Sequence, residues 1–377
     1  MAYEIHEISP KDLKQFIKFP FELYKGNPCY VPPIIDFELS TLSPKKNPAF
    51  KKATAKYWLV TDGKKNVGRV AAILLNREFE DKKLVRFGWI DFIDDHEVSA
   101  LLIKTVEEFA KQQGAIGVHG PLGFTDLDFE GTLISGFDEL ATQATIYNYP
   151  YYQDHLEKLG YGKACDWFEM RGTVPESVPE SLRIIAEKVS HRFKIKSRKF
   201  KRTKDVLKYS KPVFDLLNET YSNLYGYYPL SEEQIEYFIK MYFGFIRLEY
   251  ISLIVNEEDD VVAFAITLPS LSKAFQKAKG YLYPFGFLHV LKSFYSNDHL
   301  DLFLIAVKPE YQRRGAFAII FYELFSIFVN NGVKYLSTGP MMESNNSVLN
   351  SWNGLEDHLD SRRIQRRCFI KYFDAAK

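Results

Sequence analysis

Two separate stretches of the chain show the same pattern of apolar and polar positions. The stretch 58–75 (WLVTDGKKNVGRVAAILL) has two apolar runs around an Asp-Gly-Lys turn, a pattern that predicts a β-hairpin. The stretch 251–268 (ISLIVNEEDDVVAFAITL) repeats this pattern around another polar turn. Each hairpin is followed by a further apolar run, at 87–93 and at 302–307. The pattern therefore predicts three strands at the start of each half of the chain.

A helix is predicted after the third strand in both halves. Apolar residues recur at helical spacing over 97–113, and Gly114 stands where that helix should end. The second helix is expected over 315–331, with Gly332 at the matching end. Each half then offers a short strand ending in Gly-Pro, a short helix and a last strand. This shared order predicts an internal repeat; a chance match of ordinary α/β elements is the alternative.

The segment 172–180 (GTVPESVPE) separates the two halves. Its two Pro-Glu-Ser copies predict a hinge, because proline fixes φ and lacks an N–H donor. We expect domains at 1–175 and 190–377. The run 191–204 (HRFKIKSRKFKRTK) carries eight Lys or Arg. We interpret it as a solvated strand face, with nucleic-acid contact as the less favoured alternative.

Composition fits a globular chain of about two domains, since 377 residues carry 46% apolar and 26% charged side chains. Basic and acidic residues nearly cancel, 49 against 48, so we expect no nucleic-acid or membrane partner. The charged start and the lack of a long apolar run predict a cytoplasmic protein without a signal peptide. Three distant cysteines, Cys29, Cys165 and Cys368, fit neither a disulfide framework nor a metal site.

The segment 302–318 (LFLIAVKPEYQRRGAFA) carries the sharpest chemical signal. An apolar strand ends at Val307, and after a turn a helix begins near Gly315. Unpaired backbone N–H groups at a helix N-terminus attract anions, and a glycine there lets a ligand approach the backbone. Arg313 and Arg314 add two cations. The segment therefore predicts a phosphate-binding loop.

This strand, turn and Gln-Arg-Arg-Gly sequence resembles the pyrophosphate loop of the GCN5-related N-acetyltransferases, over about residues 194–373. The chain is also similar to a bacterial group of tandem proteins of that family without assigned substrates, in phrases such as YVPP at 30–33 and YNYPYY at 147–152. The resemblance implies an α/β fold of the α+β type with two tandem domains, each a mixed, mostly antiparallel sheet flanked by helices. The matching turn of domain one, 94–97 (DDHE), would repel a diphosphate, so we expect no coenzyme site there.

The resemblance implies acetyl-coenzyme A or another acyl-coenzyme A as co-substrate, with no metal. It places the pantetheine arm along the main chain of one strand and the pyrophosphate on the loop, and it gives an asparagine of a later helix a contact with the arm. The implied coenzyme-binding residues are Ile305, Ala306, Val307, Gln312, Arg313, Arg314, Gly315, Ala316 and Asn346. Two positions depart from the family pattern. Phe317 replaces a small loop residue, and Trp352 stands where a general-acid tyrosine is common.

The implied function is transfer of an acyl group, with acetyl expected, to a small-molecule or peptide amine by direct attack in a ternary complex. Asp301 and Glu343 are weak candidates for the base, and the sequence does not identify the catalytic residues. Tyr147, Asn148, Tyr151 and Tyr152 either line a substrate pocket or pack in a core. The two departures favour a non-catalytic coenzyme-binding or scaffold protein as one alternative. The basic run favours an aminoacyl or peptidyl transferase that uses charged tRNA as another.

Overall fold

The computed structural model describes residues 3–9, 11–312, 314–352 and 359–374. The chain divides into two units that do not follow the halves of the sequence. The first unit contains Met1–Trp167, Ser272–His289 and Ile364–Lys377, and the second contains Phe168–Leu271 and Val290–Arg363. The expected boundaries, 1–175 and 190–377, follow the sequence repeat and stay a prediction about that repeat.

The first unit is built on a mixed sheet with the strand order β1, β2, β3, β4, β5, β14, and β6 pairs with β14. The strands of this series are antiparallel neighbours, except that β4 and β5 run parallel. The strands are β1 (Glu4–Glu7), β2 (Ala53–Asp62), β3 (Lys65–Leu75), β4 (Leu84–Phe92), β5 (Gly117–Gly120), β6 (Thr132–Ser135), and parts of β7 (Gly162–Thr173) and β14 (Leu359–Tyr372).

Helix α4 (His96–Gln112) covers this sheet. It buries Val98, Leu102, Val106 and Phe109, which recur at helical spacing and share one core cluster with sheet residues. Further helices described in this unit are α1 (Leu13–Leu23), α2 (Ile35–Thr41), α3 (Asn76–Lys82), α5 (Tyr151–Lys158), α10 (Ser272–Ala278) and the start of α11 (Gly286–Tyr295), with a 3-10 turn at Pro48–Lys51.

The second unit has the strand order β7, β12, β11, β10, β9, β8. Here β11 and β12 are the parallel pair, and the other neighbours are antiparallel. Besides the end of β7 and the start of β14, its strands are β8 (Lys196–Ser197), β9 (Ile251–Val255), β10 (Val261–Pro269), β11 (His299–Val307), β12 (Tyr335–Thr338) and β13 (Met341–Met342). Both sheets are thus mixed and mostly antiparallel, as predicted.

Helix α13 (Ala316–Asn330) forms the centre of the second core. Its sequence is apolar on nearly every side, and it packs against α6 and against β9 and β10. Its one acidic residue, Glu323, is buried and accepts hydrogen bonds of 2.6 Å from the Ser197 and Ser252 hydroxyls. Further helices described in this unit are α6 (Glu180–Phe193), α7 (Thr203–Leu207), α8 (Ser210–Tyr221), α9 (Glu232–Tyr242), α12 (Pro309–Gln312) and α14 (Asn346–Asn350), with 3-10 turns at Phe243–Phe245 and Leu248–Tyr250.

The order predicted for the repeat, hairpin, strand, helix, strand, helix, strand, is present in both halves. The last strands, however, do not pair within their own half of the sequence. The end of β14 lies beside β5, with Phe369 opposite Gly120. The end of β7 lies beside β12, with Thr173 opposite Tyr335. The last strand of each sequence half therefore completes the sheet of the other.

Two further features concern helices and cysteines. In the described ranges, no helix is both long and apolar enough to cross a bilayer. Cys29, Cys165 and Cys368 are buried, and none of them is in a disulfide bond.

Candidate functional site

Strand β11 continues beyond the end of its parallel neighbour β12. They pair in parallel from His299 opposite Tyr335 to Leu302 opposite Thr338, and the Gly339 amide donates to the Leu302 carbonyl at 2.8 Å. From there to Val307, the described part of β11 pairs with β10 alone. This stretch therefore has one edge without a neighbouring strand among the described residues, called the open edge below, which suits an extended ligand that binds as an added strand.

The loop at the end of β11 is held in a fixed conformation. The Gln312 side-chain amide donates to the Val307 carbonyl at 2.9 Å, so it braces the loop. Gly315 caps α13 with φ +81°, a conformation that L side chains rarely adopt. A Cβ at this position would also lie 3.1 Å from Val189 Cγ2. The first N–H groups of α13, at Ala316 and Phe317, have no acceptor within their own helix, so they can bind an anion.

The two arginines of the loop differ in what the structure describes. Arg314 is exposed, and its guanidinium lies over the Phe193 ring at 5.2 Å and near the Tyr311 ring at 5.9 Å. Stacking on two rings holds this cation beside the start of α13. Arg313, the other cation predicted for the loop, lies outside the described residues.

A cavity of about 880 Å³ opens at the start of α13, within the usual size of small-molecule sites. Two predicted loop residues, Gln312 and Gly315, line it together with Asn346, the first residue of α14. The remaining wall combines apolar and polar side chains from α6, α8, α13 and α14, including Leu182, Ile185, Thr220, Asn223, Phe317, Phe321, Asn345 and Asn350.

No protein-family model matches the chain. Two bacterial proteins are similar in sequence. Protein YghO of Escherichia coli K12 is 28% identical over 298 residues, 75% of this chain and 72% of that protein. The bacterial ceramide synthase of Caulobacter vibrioides is 29% identical over 291 residues, 75% of this chain and 74% of that protein.

Solved structures match nearly the whole chain. A tandem GNAT protein from the clavulanic acid biosynthesis pathway superposes with a TM-score of 0.56 at 11% identity, covering 100% of both chains. A GCN5-related N-acetyltransferase from Sphaerobacter thermophilus gives 0.51 at 12% identity, covering 98% of this chain and 95% of that one.

The chain has the fold of the GCN5-related N-acetyltransferases. The expected tandem arrangement of this fold is confirmed by the tandem neighbour. In sequence, these structures are too distant to transfer an activity. The role of each predicted N-acetyltransferase residue therefore depends on the geometry around it.

Both departures from the N-acetyltransferase pattern are buried aromatic residues. Phe317 belongs to the core of the second unit, where its ring lies 6.4 Å from that of Phe321, and it also lines the cavity. Trp352 packs on Phe321 from the other side, at 4.8 Å between ring centroids. It follows α14, which ends at Asn350. The extra rings are thus accommodated by packing against Phe321, and the indole supplies no titratable proton.

Asp301 is the more deeply buried of the two candidate bases. It is buried on β11, two residues before the open edge begins at Phe303. Burial raises the pKa of Asp301 to about 7, while the charge of Arg171 acts in the opposite direction. His299 Nε2 lies 3.8 Å from the carboxylate. Such a carboxyl group can accept a proton near neutral pH. Glu343 is half-buried in the turn after β13.

In the first unit, the position that matches the open edge is closed by the chain itself. Phe92 ends β4 opposite β3 as Val307 ends β11 opposite β10. The Tyr152 hydroxyl accepts from the Phe92 amide at 3.0 Å, and the Tyr151 hydroxyl donates to the Phe92 carbonyl at 2.5 Å. These bonds occupy main-chain groups whose counterparts in the second unit are predicted to bind pantetheine.

The helix start of the first unit is occupied as well. Asp95 Oδ1 accepts a hydrogen bond from the Glu97 amide at 2.8 Å, so a side-chain carboxylate caps α4. A bound diphosphate would meet this negative charge at the same N-terminus. The geometry supports the expectation that this unit has no coenzyme site, which stays a prediction.

The predicted substrate-pocket residues of the first unit make internal contacts. The Asn148 side chain bonds both the amide and the carbonyl of Leu133, at 2.7 and 3.0 Å. The Tyr147 ring packs edge-on against Tyr24 at 5.6 Å. With Tyr151 and Tyr152 bonded to Phe92, these side chains hold β4, β6 and α5 together. Their role as a substrate pocket stays a prediction.

Several cations of the basic run are paired with acidic side chains. Lys194 lies 3.0 Å from Glu257, and Arg198 and Lys199 pair with Asp259 and Glu323. These contacts favour the interpretation of a structural strand face. The tRNA-dependent alternative depends on the charge of this run, and these ion pairs do not favour it.

Sequence reasoning missed Tyr221 of α8. Its hydroxyl donates to the Ile305 carbonyl at 3.1 Å, on a residue predicted to bind the pantetheine arm. The neighbouring Thr220 lines the cavity. No local motif marks Tyr221, because its importance arises from where α8 crosses β11. The amphipathic pattern of α8 predicts a packed helix but does not identify its partner strand.

Proposed function

We propose that the protein is an acyl-coenzyme A-dependent N-acyltransferase, and that the second unit holds the coenzyme. The observation that carries the proposal is the succession of three features along one strand and the loop after it: the edge of β11 beyond the end of β12, the start of α13 at Gly315, and the cavity that Gln312 and Gly315 line. An extended arm needs the first feature, a diphosphate needs the second, and a bound small molecule needs the third.

Individual residues have distinct roles in this proposal. The amides of Ala316 and Phe317 would bind the diphosphate, with Arg314 beside them as a cation. Asn346 would contact the arm from the opposite wall of the cavity. The Ile305 carbonyl, which now accepts from Tyr221, would lie along the arm. The coenzyme supplies the thioester that makes the acyl group reactive.

Asp301 is the proposed base for the acceptor. It would take one proton from the amine as the nitrogen attacks the thioester carbonyl, so that a C–N bond forms while the C–S bond breaks. The thiol leaves as a thiolate and then takes a proton from solvent. Because a thiol has a pKa of about 8.5, its departure does not require a strong acid. Trp352 is therefore compatible with turnover despite replacing a tyrosine.

The proposed acceptor is a long-chain primary amine. One sequence relative is a bacterial ceramide synthase, and a ceramide is the amide of a fatty acid with a long-chain amino alcohol. The cavity wall includes Leu182, Ile185 and Phe321 beside a larger number of polar side chains, so support for a long-chain acceptor comes from the sequence relative.

A thiol-release assay tests the proposed activity. Purified protein is mixed with acetyl-coenzyme A or a long-chain acyl-coenzyme A and with either a long-chain amine or a short polar amine. We expect release above background with the long-chain amine, and the amide product by mass spectrometry. Coenzyme binding without release across both amine classes would instead support the non-catalytic alternative, which the two aromatic departures favour.

Asp301→Asn is the diagnostic variant for this assay. We expect it to bind the coenzyme like the wild type and to lose most thiol release at pH 7, because acid–base catalysis contributes about 10²–10⁴-fold. Glu343→Gln is the matched carboxylate control and should retain activity. Loss of activity in Glu343→Gln alone would assign the base to Glu343.

A further inference from the structure

The segment between β10 and β11 exposes an unusual set of large aromatic and apolar side chains. Tyr283 and Phe285 are 75% and 71% exposed, and Leu288 and Tyr281 are 51% and 41% exposed. On protein surfaces in general, large apolar side chains are exposed one at a time. A cluster of them marks an interaction site.

Helix α11 has two apolar stripes, of which one is buried and the other adds to this exposed surface. Val290 is buried, with Phe287 and Phe294 half-buried on the same side. The second stripe, Leu288, Leu291 and Tyr295 at positions i, i+3 and i+7, is exposed. A helix that packs on only one side needs only one apolar stripe, so the second requires a different explanation.

The same segment is basic. Residues 261–297 contain no Asp or Glu, while Lys273, Lys277, Lys279 and Lys292 are exposed. In the first unit, Lys14 and Lys18 add two further ammonium groups, 5.9 and 5.4 Å from the Tyr281 ring. Exposed aromatic side chains and exposed lysines thus occur together in this segment, which has no acidic residue of its own.

The segment is anchored to the first unit. The Gly280 carbonyl accepts from the Ile35 amide at 2.9 Å. The Gln276 side chain donates to the carbonyls of Pro28 and Tyr30 at 2.8 and 2.9 Å. A Cβ at Gly280 would clash with the Phe21 ring, so close packing requires glycine. The segment that carries the exposed rings is therefore held in place by hydrogen bonds to the first unit.

We propose that this aromatic–basic surface, Tyr281, Tyr283, Phe285 and Leu288 with Lys273, Lys277 and Lys279, docks the protein on an anionic lipid surface. Tyrosine and phenylalanine rings insert at the boundary between headgroups and acyl chains, and lysines are attracted to anionic headgroups. A second copy of the chain is a poorer partner, since a symmetric contact would bring the lysines of both copies together.

This proposal departs from the expectation of no membrane partner, which rested on net charge alone. A net charge near zero for the whole chain does not reveal a local cluster of lysines. The proposal is independent of the proposed acyl transfer, because docking requires neither coenzyme nor amine. Failure of one therefore leaves the other standing.

Vesicle co-sedimentation tests the proposal with the full chain and no other ligand. We expect the protein to bind vesicles of equal parts phosphatidylglycerol and phosphatidylcholine, and to bind pure phosphatidylcholine vesicles far less. Added salt should weaken the binding, because it screens the lysines. Absence of binding to the anionic vesicles would overturn the proposal.

Two variants locate the binding surface. Tyr283→Ser/Phe285→Ser and Lys277→Gln/Lys279→Gln should each lower vesicle affinity by about tenfold or more. Ile116→Ser/Tyr372→Ser is the apolar control, at positions 51% and 61% exposed elsewhere, and Lys208→Gln/Lys240→Gln is the charge control. Equal losses in the controls would contradict a local surface. Self-association that Tyr283→Ser/Phe285→Ser abolishes, without vesicle binding, would instead assign the surface to a second copy.

Discussion

The hydroxyl of Tyr152 accepts a hydrogen bond from the backbone amide of Phe92 at 3.0 Å. In the second unit, the matching strand ends at Val307 and leads into the loop of Gln312 and Gly315, which line a cavity. One fold thus occurs twice in the chain with different bonding near the same strand end. In the first unit tyrosine hydroxyls bond both the amide and the carbonyl of the last strand residue, Phe92, whereas in the second a tyrosine hydroxyl bonds the Ile305 carbonyl, two residues before the strand ends. This difference is the structural basis for placing the coenzyme in the second unit.

Tyr152→Phe should destabilise the first unit. The hydroxyl also lies 2.7 Å from that of Tyr24, so its removal leaves the buried Phe92 amide without its acceptor and Tyr24 without this neighbour. We expect a loss of about 1–3 kcal/mol in the free energy of unfolding, measured by urea denaturation. Tyr372→Phe, at an exposed position, should change stability by less than about 0.5 kcal/mol. An unchanged unfolding midpoint in Tyr152→Phe would show that the bond contributes nothing.

Glu323→Ala should destabilise the second unit. The buried carboxylate accepts from Ser197 and Ser252 and pairs with Lys199, so truncation removes the partner of several polar groups in the core. We expect a loss of about 1–3 kcal/mol, because two serine hydroxyls lose their acceptor. Glu310→Ala is the control, because its pair with Lys308 is solvent-exposed at 3.8 Å and should contribute at most about 1 kcal/mol. Equal unfolding midpoints for the two variants would contradict this account of the buried network.

The raised pKa of Asp301 predicts a rise in acyl transfer with pH. The carboxyl group has a pKa of about 7 in the folded protein, so the basic form required for proton transfer accumulates above that pH. Therefore kcat/KM should increase through pH 7 and then level off. Asp301→Asn should lack this limb, whereas Glu343→Gln should retain it. A limb that persists in Asp301→Asn belongs to another group and removes Asp301 from the role of base.

The same shift predicts an effect on stability. In the unfolded chain an aspartate has a pKa of about 3.9, so between about pH 4 and pH 7 the folded state binds the proton more tightly. The Asp301 contribution to stability therefore falls as pH rises through that window. Asp301→Asn has no charge to bury, and we expect its midpoint at pH 8 to equal or exceed that of the wild type. Equal midpoint differences at pH 4 and pH 8 would contradict the raised pKa.

The sequence predicts those features that depend on local periodicity and loop chemistry. The hairpins, the two long helices and the Gly315 turn all follow from neighbouring residues. Pairing of β14 with β5, of Phe369 with Gly120, is not predictable in this way, because alternation determines which face of a strand is buried and not which strand lies beside it. Tyr221 and the Tyr152 bond were missed for the same reason, since both contacts join residues far apart in sequence.

Calorimetric titration with coenzyme A tests the central claim most directly. We expect the wild type to bind one equivalent in the micromolar range and Gly315→Asp to bind at least about tenfold more weakly, because the new carboxylate would stand where the diphosphate meets the start of α13. Gly332→Asp is the matched control, at a glycine with φ +67° and open space around its Cβ position, and should bind like the wild type. Equal affinity of Gly315→Asp and the wild type, or no binding by the wild type, would contradict a coenzyme site at this loop.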